Sequence, residues 1–386
     1  MKTFEFTTAK SIVNKVGGVR ELAKICKSLG ISKPLLVSDP GIVSLGLYSG
    51  AVESLESEEI PYEFFHEVES DPSVEVVEAA VTCAKNTKID GVVGLGGGSS
   101  MDVAKLVSVL AAGNQNIDSM YGVNNITSGR LPLIQIPTTA GTGSEVTAVS
   151  IVKVSESEKK GIVSPVILPD VAVLDAELTV GLPPHVTAAT GIDAMVHAIE
   201  AYTSIHKKNP YSDMLARESL KLISQNITAA VDNGKDLGAR SGMLYGAMLA
   251  GQAFSNSPVA AIHALAYPLG SHYQIPHGLS NSLVLPHVMR FNIDVAYDLY
   301  AELAPFIIPG EEGRKGSNIH IAHKLISYIE DLIGSLGLPM TLKSVGVKED
   351  TLPSLAKSCM LQKRILVNNP KHVHESDALA IYQSAF

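Results

Sequence analysis

Residues 89–112, IDGVVGLGGGSSMDVAKLVSVLAA, determine the fold class of this 386-residue chain. They begin with a short apolar run, residues 89–95, that is typical of a buried strand, and they end with the helical pattern of residues 99–112. A glycine-rich turn, residues 96–99, joins the two. A strand that leads directly into a helix is the repeating unit of a parallel sheet covered by helices. We therefore expect an α/β fold around this stretch.

The same alternation extends over the first half of the chain and stops near residue 182. Further strands are predicted at residues 11–16, 33–39, 62–68, 131–136 and 171–175, with helical patterns between them. After Pro183 and Pro184 the β-branched runs thin out, and long apolar helical patterns continue to the C-terminus. We therefore predict an α/β domain with a parallel sheet over residues 1–182 and an all-helical domain over residues 183–386.

Composition and charge limit the possible partners. Apolar residues make up 46% of the chain and charged residues 18%, as in a packed globular protein, and the formal net charge is −9. Nucleic acids and anionic membranes require a basic surface, so neither is expected as a partner. The three separated cysteines predict no disulfide framework, and the N-terminal MKTFEFTTAK has no targeting pattern. We expect a cytoplasmic protein.

Residues 241–289 contain no Lys, Arg, Asp or Glu. Polar residues and prolines, among them Pro258, Pro268 and Pro276, interrupt the apolar runs before a membrane span is complete, so buried helices and loops are the better interpretation. Four histidines lie within this stretch: His263, His272, His277 and His287. Histidines in such an uncharged segment favour a functional explanation.

The turn Gly96, Gly97, Gly98, Ser99 has the properties of a phosphate-binding loop. Glycines let the backbone approach a ligand closely, and the following helix offers free N–H groups and the positive end of its dipole. The match to the dinucleotide fingerprint is partial, because Ser99 stands at the third glycine position. The alternative is a tight strand-to-helix turn with Ser99 as N-cap and Asp102 in the first helical turn.

Two further segments could contact a dinucleotide. Asp39 ends a predicted strand, where an acidic residue can bind the ribose hydroxyls and repel a 2′-phosphate, which favours NAD over NADP. Asp39, Pro40 and Gly41 could equally form a simple turn. Residues 138–145, TTAGTGSE, form a loop dense in hydroxyl groups after another strand, although such polar turns are common.

Asp193 and His197 form the core of a possible metal site. They are four residues apart in a helical pattern, which places both side chains on one helix face. A simple Asp–His hydrogen bond is the alternative. Together with histidines of residues 241–289, such as His263 and His277, they would offer a carboxylate and neutral imidazoles, which suit Fe(II) or Zn(II) better than Mg²⁺ or Ca²⁺. The spacing by itself leaves His272 and His287 as further candidates.

The combination of motifs resembles the iron-dependent (group III) alcohol dehydrogenase family. The matching segments cover nearly the whole chain in the family's order: GGGS with Asp102, PTTAGTGSE at residues 137–145, GIDAMVHAIE at residues 191–200, and HALAYPLGSHYQIPHG at residues 263–278. The resemblance implies a dinucleotide-binding α/β domain, a helical domain and an active site in the cleft between them.

The resemblance also implies particular residues. The metal ligands would be Asp193, His197, His263 and His277, holding Fe(II) or alternatively Zn(II). The residues that would contact NAD are Asp39, Gly96, Gly97, Gly98, Ser99, Asp102, Thr138, Thr139 and Thr142, together with a lysine that maps to Lys159 or Lys160. A homodimer is expected from the family.

The chain departs from the family pattern at Tyr267. Many relatives have a histidine at this position, four residues after the third metal ligand, and that histidine is assigned to proton relay or substrate contact. A tyrosine hydroxyl does not titrate near neutral pH unless strongly perturbed. We count Tyr267 among the candidate catalytic residues, with its role open.

The function that the resemblance implies is reversible oxidation of a small primary alcohol to the aldehyde, by hydride transfer to NAD. Alternatives on the same scaffold are a hydroxyacid–oxoacid transhydrogenase and a maleylacetate reductase, although the absence of charge around His263 favours a neutral alcohol. The dehydroquinate synthases are a more distant alternative, because the segment around Asp193 resembles theirs less. An alternative of another class is a non-catalytic protein that binds a metal or a nucleotide, in which the metal is structural.

Overall fold

The computed structural model describes residues 3–155 and 158–386. In the first half, the described residues form strands that alternate with helices. The strands are β1 (Ser11–Asn14), β2 (Pro34–Val37), β3 (Glu63–Phe65), β4 (Gly91–Gly96), β5 (Gly122–Val123), β6 (Leu133–Pro137), β7 (Val149–Lys153), β8 (Lys159–Val163) and β9 (Val171–Leu174). The helices of this half are α1 (Leu22–Ser28), α2 (Pro40–Ser44), α3 (Ser49–Ser57), α4 (Val74–Thr87) and α5 (Gly98–Ala112).

Six of these strands form one sheet in the order β1–β9–β6–β4–β2–β3. Every neighbouring pair is parallel, so the predicted α/β fold is confirmed. Strands β2, β4 and β6 are direct neighbours, and parallel strands end at the same edge of a sheet. Asp39, the glycine turn and the hydroxyl-rich loop therefore emerge side by side, each just after one of these strands.

The parallel sheet separates two apolar cores. Leu35 and Val37 of β2 face one core, and Leu36 between them faces the other. This alternation is the two-residue period of a strand, and both faces are apolar because helices cover both. All residues of β2, β4, β6 and β9 are buried, which explains why these strands are almost entirely apolar; the one polar side chain among them is Gln135 of β6.

A second sheet, of order β5–β8–β7, was not predicted from the sequence. Strands β7 and β8 are antiparallel, and β5 is parallel to β8. Strand β8 begins with Lys159 and Lys160 and is only partly buried, so it lacks the apolar run that reveals the strands of the large sheet.

The second half of the chain is helical, as predicted. Its helices are α6 (Pro184–Thr203), α7 (Pro210–Asp232), α8 (Leu237–Asn256), α9 (Ala261–Tyr273), α10 (His277–Ile307), α11 (Asn318–Ser335), α12 (Leu352–Cys359), α13 (Lys363–Leu366) and α14 (Glu375–Ser384). Residues 241–289 cover most of α8, all of α9 and the start of α10, and most of their side chains are buried. None of the described helices has the length and apolar character that crossing a membrane requires.

The chain forms two compact units, Thr7–Gly181 and Leu182–Phe386, and the second unit also includes residues 3–6. The sequence had placed these N-terminal residues in the α/β domain. Their grouping with the helical unit has a local cause, because the rings of Phe4 and Phe6 lie 5.8 and 5.5 Å from the ring of Tyr211 on α7.

Candidate metal centre and cofactor loops

Helix α6 carries two of the four candidate metal ligands. Asp193 and His197 are one helical turn apart, and their exposed fractions are 2% and 4%. Both faces of this part of α6 are buried, so a carboxylate here is costly unless it is paired or coordinated.

The other two candidate ligands come from α9 and α10. His263 lies near the start of α9 and is buried, and His277 is the first residue of α10. A side chain at Gly278 would place its Cβ 2.5 Å from the carbonyl oxygen of Ala189, so a glycine here allows the start of α10 to approach α6 closely. This approach brings His277 next to Asp193.

The four side chains form one cluster. One ligand atom from each of Asp193, His197, His263 and His277 can be chosen so that all four lie within 4.8 Å of one another. A tetrahedral centre with bonds of about 2.1 Å has ligand atoms about 3.4 Å apart, and Asp193 Oδ1 lies 3.6 Å from His277 Nε2. His277 keeps 38% of its side chain exposed, so the cluster is open on one side.

The donor set fits a divalent transition metal. Burial acts to raise the pKa of Asp193, but the three imidazoles and a neighbouring amide hold that pKa below its ordinary value. One ionised carboxylate and three imidazoles suit Fe(II) or Zn(II), whereas Mg²⁺ and Ca²⁺ prefer oxygen ligands. The four residues therefore fit the Fe(II) or Zn(II) ion that the resemblance implies.

The remaining candidate histidines lie outside the cluster. His272 is exposed at the end of α9, and His287 contacts the Ser384 hydroxyl through its Nδ1 at 2.8 Å. Within the described part of the chain, the cluster at Asp193 is the one group of such side chains with metal-binding geometry.

The glycine turn opens α5 without a side-chain cap. Gly97 occupies the N-cap position, so no side chain covers the first N–H groups of the helix, which suits an anion. A Cβ at Gly98 would lie 2.9 Å from the Thr142 side chain, so the glycine also allows the hydroxyl-rich loop to pack against the turn. A cavity of about 330 Å³ lies beside the turn, and its lining includes Asp39, Glu69 and residues 97–100.

Comparisons with known proteins show the family of the chain. Residues 9–176 match the family model for iron-containing alcohol dehydrogenases, and residues 187–386 match the C-terminal model of the Fe-containing alcohol dehydrogenase family. Long-chain-alcohol dehydrogenase 1 of Geobacillus thermodenitrificans is 39% identical over 373 residues, which cover 96% of this chain and 93% of that protein.

This chain belongs to the iron-containing alcohol dehydrogenase family. It is accordingly an oxidoreductase that acts on CH–OH groups. A solved 1,3-propanediol oxidoreductase superposes with a TM-score of 0.96 at 33% identity, with complete coverage of both chains. The sulfoacetaldehyde reductase of Bifidobacterium kashiwanohense, solved in complex with NAD⁺, has a TM-score of 0.88 at 28% identity and covers 100% of this chain and 99% of its own.

Asn281 contacts the cluster, and the sequence interpretation missed this residue. Its Nδ2 donates a hydrogen bond to Asp193 Oδ1 at 2.6 Å and lies 3.4 and 3.3 Å from the Nε2 atoms of His263 and His277. Its Oδ1 is buried and has no hydrogen-bond partner among the described residues. A signal was present in the sequence, because Asn281 follows His277 by four residues in a helical pattern without charges.

Tyr267, for which the resemblance implied a histidine in many relatives, lies beside the cluster. Its ring centroid is 5.9 Å from that of His277 and 6.4 Å from that of His263. The side chain is partly buried. Tyr267 is therefore one turn of α9 from His263 and lies next to His277 of α10.

Asp39 is engaged by protein groups while it lines the cavity. Its Oδ1 accepts a hydrogen bond from the Ile42 N–H at 3.1 Å and caps α2, and its Oδ2 accepts one from Ser100 Oγ at 3.1 Å. Both interpretations of Asp39, as a turn residue and as a residue facing a ligand, are thus compatible with its position.

Asp102, another predicted cofactor contact, directs its carboxylate to the protein. Its Oδ1 accepts a hydrogen bond from Ser144 Oγ at 2.7 Å, and its Oδ2 accepts one from the Ile151 N–H at 2.9 Å. Asp102 therefore connects α5 to the hydroxyl-rich loop and to β7. It is the fifth residue of α5 and does not belong to the glycine turn at the helix start.

The three threonines of the hydroxyl-rich loop differ in exposure. Thr138 is buried and its N–H donates to the carbonyl of Gly96, whereas Thr139 and Thr142 are partly exposed. The loop is thus attached to the glycine turn by its backbone, and two of its threonines remain partly accessible.

The two candidate lysines have different surroundings. Lys159 Nζ forms an ion pair with Asp71 at 2.7 Å, and the N–H of Asp71 donates to Ser99 Oγ at 3.3 Å. Lys160, its neighbour on β8, lies over the ring of Tyr121. Only Lys159 is connected to the glycine turn by these contacts.

Proposed function

We propose that this protein is a metal-dependent alcohol dehydrogenase that reversibly oxidises a small primary alcohol to its aldehyde with NAD as hydride acceptor. The observation that carries the proposal is the cluster of Asp193, His197, His263 and His277, which has a transition-metal donor set and one partly exposed member. A structural metal site is closed, whereas a catalytic site keeps a position for substrate. The open side at His277 therefore supports the catalytic alternative.

The four clustered side chains would hold Fe(II), or Zn(II) as the alternative. The metal would supply a Lewis acid that lowers the pKa of the alcohol hydroxyl, and NAD would accept the hydride. Asn281 orients the Asp193 carboxylate by its hydrogen bond. Tyr267 lies where it can contact a substrate next to His277.

The α/β unit offers the cofactor site of the proposal. The uncapped start of α5 would bind the pyrophosphate, with Thr139 and Thr142 as further donors. Asp39 and Glu69 both line the adjacent cavity, and their negative charges disfavour a 2′-phosphate, which supports NAD over NADP. Lys159 is the better candidate for the family's lysine because it connects to Ser99 through Asp71.

The substrate class is argued from residues 241–289, which supply two of the four candidate ligands. This stretch includes His263, Tyr267 and His277 and contains no Lys or Arg that could pair with a carboxylate or sulfonate substrate. This favours a neutral alcohol.

The test is anaerobic NAD reduction with a panel of short primary alcohols, on chelator-treated protein reloaded with Fe(II) or Zn(II). We expect activity to return with metal in the wild type, and to be absent from His277→Ala with either metal. His272→Ala is the matched control, because this exposed histidine lies outside the cluster, and it should behave as the wild type does.

Two results would contradict the proposal. If every alcohol and aldehyde fails while metal is bound, a hydroxyacid–oxoacid transhydrogenase or an acid-specific reductase becomes the better assignment. If His277→Ala loses its folded structure and the wild type has no turnover, the metal is structural and the protein is a non-catalytic binding protein.

A further inference from the structure

Glu200 is a buried carboxylate of α6 to which no role has been assigned. It follows Asp193 by seven residues and His197 by three, so it continues the same helix face by one turn. Its exposed fraction is 2%. A carboxylate in such a position must be satisfied by donors from the protein.

Both oxygens of Glu200 have a donor at the start of α9. Oε1 accepts a hydrogen bond from the Ile262 N–H at 2.7 Å, and Oε2 lies 2.6 Å from Nδ1 of His263. An ionised carboxylate can only accept hydrogen bonds, so the proton of the neutral His263 ring must be on Nδ1. The lone pair is then on Nε2, which is the nitrogen near Asn281 and the other candidate ligands.

We infer that Glu200 is a positioning residue for metal binding: it fixes the tautomer and the ring orientation of His263, so that Nε2 is available to the metal. This inference rests on the metal function proposed above. A ligand histidine whose other nitrogen donates to a carboxylate binds metal more tightly, and loss of such a partner costs about 10- to 100-fold in metal affinity.

Glu200→Gln tests the tautomer with almost no change of shape. The amide has one acceptor and one donor end, and the Ile262 N–H requires the acceptor. The NH₂ group then faces His263 Nδ1 and selects the tautomer with its proton on Nε2. In that tautomer Nε2 has no lone pair to offer to a metal. The opposite amide orientation would leave Ile262 facing a donor, so either orientation loses one contact.

The measurement is the affinity of metal-free protein for Zn(II) and Co(II), by chelator competition, with the Co(II) absorption spectrum as a report on ligand geometry. We expect Glu200→Gln to bind both ions about 10- to 100-fold more weakly than the wild type. Glu302→Gln is the matched control, because Glu302 contacts Tyr202 of α6 and is exposed, and we expect it to bind as the wild type does. The melting temperature of each metal-free variant separates metal binding from folding.

A second measurement needs no variant. Long-range ¹H–¹⁵N correlation spectra of metal-free, histidine-labelled wild type report which ring nitrogen of His263 carries the proton. We expect the Nδ1–H tautomer.

The inference is overturned if Glu200→Gln binds metal within about threefold of the wild type, or if the wild type has the Nε2–H tautomer. Absence of metal binding by the wild type itself would instead contradict the proposed metal function, so the two failures are distinguishable.

Discussion

Asp193 illustrates how much the surroundings of one residue decide. Its spacing from His197 predicts a shared helix face, but it also accepts a hydrogen bond from Asn281, 88 residues further along the chain. That amide also lies within 3.4 Å of two imidazoles. A hydrogen bond to a buried carboxylate contributes about 1.5–3 kcal/mol, so Asn281 stabilises the ionised form of Asp193 before any metal binds.

Tyr267 stands where the family resemblance led us to expect a histidine. The ordinary pKa of a phenol is about 10, so a tyrosine is a poor substitute for a histidine that titrates near neutral pH. Its ring, beside His277, is well placed to limit the size of the substrate. The hydroxyl and the ring can be tested separately.

We expect Tyr267→Ala to raise KM for the shortest alcohols about tenfold, because they lose contact with the ring beside His277, at a cost of about 1–3 kcal/mol. Tyr267→Phe keeps the ring and should retain kcat within a fewfold of the wild type. Steady-state kinetics over a series of alcohol lengths make the comparison. A loss of kcat of about 100-fold or more in Tyr267→Phe would mean that the hydroxyl takes part in proton transfer.

At the level of elements, a buried lysine joins α5 to the hydroxyl-rich loop and β7. Lys105 is fully buried, and its Nζ donates to Ser144 Oγ at 2.7 Å, to the carbonyl of Val149 at 2.7 Å and to Thr147 Oγ1 at 3.1 Å. Burial lowers the pKa of Lys105, and Asp102 opposes this shift. The amine has an acceptor for each of its hydrogens. The network therefore holds α5, the hydroxyl-rich loop and β7 together.

Ser144→Ala removes the hydroxyl that accepts from Lys105 and donates to Asp102. We expect a loss of about 1–3 kcal/mol in unfolding free energy, because a buried amine loses an acceptor, and a weaker affinity for NADH, because the loop loses its attachment to α5. Denaturant unfolding and NADH fluorescence titration measure the two effects.

The matched control for this network is Ser108→Ala. Ser108 is a buried serine of α5, and its hydroxyl donates to the carbonyl of Lys105 in the same helix. It should change neither quantity appreciably. If Ser144→Ala loses stability but binds NADH as tightly as Ser108→Ala does, the network serves folding and not the cofactor site.

For the whole molecule, the candidate metal centre connects α6 with the consecutive helices α9 and α10, which follow α6 in the chain only after α7 and α8. Its ligands come from α6, α9 and α10, so the site exists only in the folded state. A metal that binds only the folded state stabilises it, by about 4 kcal/mol at 1,000 times its dissociation constant. The homodimer expected from the family stays a prediction.

We therefore expect chelation to lower the melting temperature of the wild type, and reloading with Zn(II) to restore it. Differential scanning calorimetry measures both. His277→Ala, which lacks one ligand, should melt at nearly the same temperature with and without metal. Equal melting temperatures of the metal-free and the loaded wild type would contradict the site.

The sequence by itself determined the features that depend on short spacing. The parallel sheet was predictable because strands buried on both faces are continuous apolar runs, and the glycine turn was predictable because it joins such a run to a helix. The pairing of Asp193 with His197 follows from one helical turn. The segments of family resemblance added the choice of His263 and His277, which spacing had left open.

Only the tertiary structure decided the contacts between residues that are far apart in the chain. Three such contacts depend on how helices and strands pack: that of Asn281 with Asp193, that of His263 with the Glu200 carboxylate, and that of Ser144 with the Asp102 carboxylate. The β7–β8 hairpin escaped prediction because its partly exposed strands lack an apolar run. Periodicity reports which face of an element is buried, but it contains no information about which distant element covers that face.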